Sequence, residues 1–167
     1  SITWPAYVQP KLNGIRCLAK VTKHGVEYTT RKGKKFFVLH HLSDTIMKVF
    51  KEGDVIDGEL YTNHLTFQQI TQAVKREKEV HANTAEIQYW IYDMAMSGLT
   101  FKERNEQLCT KFKQPLEVMA LEQIGQSLHG PLVYVDTILC REVETLDVWH
   151  KQFVRQGYEG TIIRNID

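Results

Sequence analysis

The chain has 167 residues, enough to bury one substantial core without disulfides or a structural metal. Hydrophobic residues make up 43% and charged residues 25%, with only 10 glycines and 4 prolines, which excludes collagen-like, low-complexity and mainly disordered chains. The formal net charge is +1, so the molecule as a whole is no obvious polyanion binder, yet cations crowd together at Arg31, Lys32, Lys34 and Lys35.

In chain order, Val8 to Lys11 and Ile15 to Val21 read as strands around Asn13-Gly14, a dipeptide that tolerates positive φ, so a hairpin is expected with Lys11 and Arg16 near its tip. Val26 to Thr30 and Phe36 to Leu39 read as a second strand pair, with the basic cluster and Gly33 in their connection. A helix is expected from Ser43 to Lys51, carrying Leu42, Ile46, Val49 and Phe50 as an apolar stripe and stopping before Gly53. Val55 to Tyr61 reads as a strand. Thr66 to Lys78 has Phe67, Ile70 and Val74 at helical spacing, and Ile87 to Met94 reads as a largely buried strand.

Thr100 followed by Glu103 is a capping-box signature, after which Phe101, Leu108 and Phe112 give a helix one apolar side. Leu116 to Leu128 is read as another helix and Val133 to Leu139 as a strand. Val143, Leu146, Trp149 and Phe153 define an amphipathic helix that Gly157 ends before a strand at Thr161 to Arg164. This punctuation is that of a mixed α and β domain, without an internal repeat or linker. Neither a secretory start nor an apolar run near the roughly 20 residues of a bilayer span is present, so a cytosolic location is expected. Cys17, Cys109 and Cys140, odd in number and far apart, read as buried thiols.

Chemistry concentrates at a few places. Lys11-Leu12-Asn13-Gly14-Ile15-Arg16 sets a lysine before a tight turn and an arginine after it. Two solvated cations are one reading; a nucleophile is the other, and it needs the neutral amine. From a reference pKa of about 10.4, deprotonation at pH 7 costs roughly 4.6 kcal/mol, which neighbouring cations, burial or a metal must offset. Asp57-Gly58-Glu59 puts two carboxylates on one strand face, suited to a hard cation or to ribose hydroxyls. Glu159-Gly160-Thr161-Ile162-Ile163-Arg164 places a carboxylate where a strand begins and a guanidinium where it ends.

Together these stretches resemble the covalent nucleotidyltransferases, the superfamily of ATP-dependent DNA ligases, RNA ligases and messenger-RNA capping enzymes. Lys11 to Arg16 resembles the nucleophile motif Lys-x-Asp-Gly-x-Arg, with Asn13 where the common motif has Asp. Thr30-Arg31-Lys32-Gly33 is similar to the Ser-Arg-x-Gly element and Asp57-Gly58-Glu59-Leu60 to the third motif. Ile91-Tyr92-Asp93-Met94 resembles the strand that carries the adenine-stacking aromatic, and Glu159 to Arg164 resembles the fourth motif. The arginine that closes the first motif, the Arg31 element and Phe67-Gln68-Gln69-Ile70 are most similar to DNA ligases. The fifth motif, a strand with two lysines, and the OB-fold domain are not found before Asp167, so an adenylation domain incomplete at its C-terminus is expected.

The resemblance implies an α+β nucleotidyltransferase (ATP-grasp-like) fold, two antiparallel sheets flanked by helices. It further implies ATP and Mg²⁺ as cofactors and nicked double-stranded DNA as partner of a monomeric enzyme that passes through a lysyl-AMP intermediate. By motif position, Lys11 is the nucleophile, Arg16 and Arg31 touch phosphate or ribose, and Glu59 touches the ribose. Glu159 holds the metal with Asp57 as second candidate, Tyr92 stacks on adenine opposite Ile162 or Ile163, and Arg164 lies near phosphate or pairs with a carboxylate. Gln9 and Pro10 stand where the chain before Lys11 reads the adenine edge. Arg31, Lys32, Lys34 and Lys35 are assigned to the DNA backbone, since clustered cations release counterions without reading bases.

His40-His41 cannot place both rings on one strand face and is no zinc site. Arg104, beside Glu103, reads as an ion-paired surface residue, and Trp149 reads as core. An RNA ligase or capping enzyme, and a noncatalytic nucleic-acid-binding module, stay open as alternatives.

Overall fold

The computed structural model describes residues 1–113 and 127–167. Its first strand, β1 (Ala6–Lys11), is buried on both faces up to Pro10, because it lies at the centre of a three-stranded antiparallel sheet, between β8 (Ile138–Cys140) and β9 (Gly160–Asn165). The chain then leaves this sheet. β2 (Ile15–Thr22) pairs with β3 (Gly25–Thr29) and β4 (Val55–Tyr61) in a six-stranded sheet of order β3-β2-β4-β5-β7-β6. The hairpin expected at Asn13-Gly14 is therefore a crossing between sheets. Gly14 lacks a positive φ; a Cβ there would lie 2.4 Å from the Leu60 carbonyl oxygen, so close backbone approach is what demands glycine.

Other expectations change similarly. Phe36 to Leu39 forms no strand: after β3 the chain makes one bridge, Thr29 to Lys35, and a tight turn with Gly33 at φ +87°. α1 (Ser43–Val49) follows, preceded by a short 3₁₀ turn at His40–Leu42 in which the His41 ring meets the Ile87 carbonyl at 2.8 Å. α2 (Phe67–Val74) starts at a capping box between Thr66 and Gln69 but stops four residues short of Lys78. Its buried stripe of Ile70, Ala73 and Val74 runs out into Lys-Arg-Glu-Lys-Glu, and a short helix persists only where an apolar face packs. Phe67 at its start is exposed, not part of that stripe.

β5 (Gln88–Met94) pairs antiparallel with β4, and α3 (Phe101–Phe112) is capped by Thr100, whose Oγ1 accepts from the Glu103 amide at 3.2 Å. The expected helix at 116–128 lies outside the described residues up to 126; Ser127 and Leu128 open strand β6 (Ser127–His129). The single strand expected at Val133 to Leu139 divides between β7 (Leu132–Tyr134) in the large sheet and β8 in the small one. β7 runs parallel to β5, so the large sheet is mixed rather than antiparallel; the connection between them is long, as a parallel pair needs, and ends in β6, which is antiparallel to β7. α4 (Val143–Arg155) then leads into β9, with Phe153 buried, Leu146 and Trp149 half-buried and Val143 exposed.

Three apolar clusters hold these layers. The large one packs α1, α2 and α3 on the six-stranded sheet through Ile46, Phe50, Ile70, Leu108 and Phe112. A second seats Phe153 of α4 on Val8, Ile138 and Cys140. The third, with Leu12, Trp90, Val133 and Val135 against Tyr61, Tyr92 and Tyr158, joins the two sheets where β1 passes into β2. All three cysteines are free and buried, and no helix among the described residues is long and apolar enough to cross a membrane.

Candidate active site

The junction of the two sheets gathers most of the residues singled out in the sequence. In the antiparallel pair of β1 and β9, Lys11 stands opposite Gly160, Gln9 opposite Ile162 and Tyr7 opposite Arg164, and paired residues share a face. That face turns toward the large sheet. Ile163 pairs with Val8 instead and packs on the α4 side, so Ile162 is the one that shares the face of Lys11. Glu159 is exposed just before β9, and its amide donates to the Lys11 carbonyl at 3.1 Å. Pro10 is buried opposite Thr161.

On the large sheet, Arg16 pairs across the ladder with Glu59, and Asp57 shares their face. The Arg16 guanidinium reaches both Asp57 oxygens, Nε to Oδ1 at 3.0 Å and Nη2 to Oδ2 at 2.5 Å. That bidentate contact, opposed in part by burial, pushes the Arg16 pKa up. Glu59 accepts from the Gly14 amide at 3.3 Å and from the Tyr92 hydroxyl at 3.4 Å. Burial outweighs both contacts, and the Glu59 carboxyl is pushed up to about 7. Gly58 between the two carboxylates admits no side chain, since a Cβ would sit 2.5 Å from the Trp90 carbonyl oxygen.

Tyr92 owes its direction to a bulge. Asp57 pairs with Asp93 but Gly58 pairs with Ile91, leaving Tyr92 as the extra residue of β5. The alternation slips by one: Tyr89, Ile91 and Met94 enter the large core, while Tyr92 and Asp93, though consecutive, both face the junction. Burial, then the nearby Asp57 and Glu59, push the Tyr92 hydroxyl pKa up, so it acts as a donor to Glu59.

Two of the predicted residues contact each other, and Arg164 meets a carboxylate, one of the two roles expected for it. Gln9 is buried, its amide donating to Thr137 Oγ1 at 2.8 Å and the Tyr92 carbonyl at 3.2 Å while its own carbonyl accepts from Arg164 Nε at 2.7 Å. Arg164 also lies 3.7 Å from Asp93. Sequence reasoning assigned no role to Asp93, although a carboxylate within an otherwise apolar strand has to be paired. Arg104, expected at the surface, is its main partner, with Nε to Oδ1 at 2.9 Å and a side chain only 21% exposed.

Arg31, Lys32, Lys34 and Lys35 are exposed on the turn after β3 and share none of these contacts. The turn is fixed by its own backbone, Thr30 amide to Lys34 carbonyl at 2.7 Å and Gly33 amide to Thr30 carbonyl at 2.9 Å. For a divalent cation, an exposed Glu159 beside Lys11 fits the case of one carboxylate sharing the ion with substrate phosphates. Asp57 has both oxygens engaged by Arg16, and no group of three His, Cys, Asp or Glu side chains among the described residues forms a ready cage.

A lysine at the end of a central strand, with carboxylates, guanidiniums and an aromatic ring converging where two sheets meet, defines a domain of nucleotidyltransferase type. Solved structures share the fold: a Lig E DNA ligase aligns over 100% of this chain and 57% of its own, with a TM-score of 0.72 at 20% identity. A Chlorella virus DNA ligase-adenylate aligns over 99% and 55%, with a TM-score of 0.71 at 20% identity. The family model for the ATP dependent DNA ligase domain matches residues 3–167, and the chain belongs to that family. A DNA ligase of African swine fever virus (isolate Pig/Kenya/KEN-50/1950) is 25% identical over 165 residues, covering 95% of this chain and 36% of the relative. The chain thus spans about a third of the length of that curated relative.

Proposed function

We propose that this chain is the adenylation domain of an ATP-dependent DNA ligase that seals nicks between a 5′-phosphate and a 3′-hydroxyl in double-stranded DNA. The observation that carries the reading is the adjacency of Lys11, at the end of β1, and Glu159, just before β9, at a junction whose other wall bears Arg16, Asp57, Glu59 and Tyr92. The neutral Lys11 amine attacks the α-phosphorus of ATP, a P–N bond forms as the bond to pyrophosphate breaks, and AMP is stored on the lysine. The nick 5′-phosphate then takes the AMP, and the 3′-hydroxyl displaces it.

Arg16 and Arg31 contact phosphate or ribose, and Glu59 binds the ribose. Tyr92 covers one adenine face and Ile162, on the face of Lys11, the other. Glu159 would hold a magnesium ion, which would supply positive charge near the phosphoryl oxygens. Asp57 joins as a ligand only by releasing Arg16; until then it fixes the direction of that guanidinium. The exposed turn of Arg31, Lys32, Lys34 and Lys35 meets the DNA backbone.

The family membership favours a DNA acceptor over the RNA-ligase and capping alternatives. Purified, pre-adenylated protein, freed of ATP, is offered nicked duplex DNA, nicked duplex RNA and a capped-RNA precursor. Sealing of the DNA with release of AMP is the expected outcome. Transfer to RNA alone would overturn the assignment of the acceptor while leaving the lysine chemistry in place.

A further inference from the structure

The two walls of the junction are tied by one chain of polar contacts that begins at residues outside the site as read from the sequence. Arg104 holds Asp93 at two points, Nε to Oδ1 at 2.9 Å and Nη2 to Oδ2 at 3.3 Å, while its Nη1 donates to the Leu99 carbonyl at 2.7 Å. Asp93 faces Arg164 of β9 at 3.7 Å. Arg164 in turn donates to Gln9 of β1 at 2.7 Å and lies over two rings, 5.2 Å from the centre of Tyr92 and 5.0 Å from that of Phe101. Gln9 closes the loop on the Tyr92 carbonyl and Thr137.

From this geometry we infer that Asp93 and Arg104 are positioning residues for nucleotide binding: through Arg164 and Gln9 they hold the Tyr92 ring at a fixed offset from the strand that carries Lys11. Gln9 is two residues before Lys11 on the same face, and Arg164 shares that face, so a shift of the Arg164 head moves one wall against the other. Asp93 carries one negative charge between two guanidiniums that also flank Phe101, Arg104 at 5.6 Å and Arg164 at 5.0 Å. The bulge that brings Asp93 to the junction beside Tyr92 is what makes the linkage possible. Arg164 accordingly acts through Tyr92 and Gln9, with its Nε spent on Gln9 rather than on phosphate.

The inference rests on the nucleotidyl-transfer reading, and the test separates the two. Self-adenylation of the full protein is followed across ATP concentrations for Asp93→Asn, Arg104→Gln, the double variant and Arg104→Lys. Each of the first two is expected to raise KM for ATP about tenfold while the maximal rate changes less than about threefold, and the double variant to be no worse than the weaker single. Arg104→Lys, which keeps the charge without the planar fork, falls between wild type and Arg104→Gln. Thermal unfolding followed by circular dichroism identifies variants that fail to fold; loss of folded protein lowers the maximal rate at unchanged KM, the opposite split. Folded single variants with the wild-type KM, or singles whose effects multiply in the double, would overturn the inference alone. A wild-type protein that ATP never labels would overturn the nucleotidyl-transfer reading together with it.

Discussion

Arg16 and Asp57, on neighbouring strands of the large sheet, are joined by two hydrogen bonds that use both carboxylate oxygens. Asp57 is nearly buried while Arg16 keeps 40% of its side chain in contact with solvent, so screening weakens the pair from the arginine side. Arg16→Ala is therefore expected to destabilise the fold by about 1–2 kcal/mol, mainly by leaving the Asp57 carboxylate unpaired. Urea unfolding of Arg16→Ala and of Arg16→Ala with Asp57→Asn checks this: the double variant recovers part of the loss.

Glu59 gives the domain a pH dependence of definite sign. Its folded pKa of about 7 lies above the usual carboxylate value of 4.5, so the folded state holds the proton more tightly and stability falls as pH rises from about 4.5 to about 7. The drop is on the order of 3 kcal/mol if this group acts alone. Glu59→Gln removes that part of the slope in unfolding curves taken at pH 5 and pH 8, and an unchanged slope would assign the dependence elsewhere.

Gly58 carries a steric prediction. A methyl group at this position meets the Trp90 carbonyl at 2.5 Å and the Tyr89 ring at 2.9 Å, both in strand β5. Gly58→Ala is expected to lower stability by about 2–3 kcal/mol, since the neighbouring atoms are backbone and a buried ring. A shift of the unfolding midpoint within error of wild type would mean that β4 and β5 part easily at the bulge.

The basic turn predicts a salt effect. Neutralising Lys32, Lys34 and Lys35 together should weaken binding to nicked duplex DNA and flatten the plot of log affinity against log salt by about 0.9 for each phosphate that the variant no longer neutralises. Fluorescence anisotropy at several salt concentrations reads the slope directly. An unaltered slope would remove these lysines from the interface.

Local signals in the sequence located the strand bearing Asp57 and Glu59, the capped helix after Thr100 and the strand after Glu159, because each has a periodicity or punctuation of its own. Pairing is another matter. Asn13-Gly14 between two apolar runs has the local form of a hairpin, but nothing in those residues says that β1 finds its partners at Ile138 and Gly160, more than a hundred positions away. The run from Val133 to Leu139 is interrupted only by Asp136-Thr137, and two polar residues inside a strand-like stretch do not by themselves mark a passage from one sheet to the other. The motifs named residues that the structure brings to one junction, whereas the Arg104–Asp93 link depends on the bulge at Tyr92, which alternation along β5 does not reveal. Arg104 also had a nearer acidic neighbour in Glu103, whose side chain is occupied with the Thr100 cap.

Lysyl-AMP formation is tested most directly by the intact mass of the protein after incubation with ATP and magnesium, for wild type and for Lys11→Ala, followed by peptide mapping of any adduct. The wild-type protein is expected to gain the mass of one AMP, mapped to Lys11 and absent from Lys11→Ala. An adduct that persists in Lys11→Ala, or a protein that extends through the remaining length of its relatives and still takes no label, would contradict the assignment of Lys11 as the nucleophile.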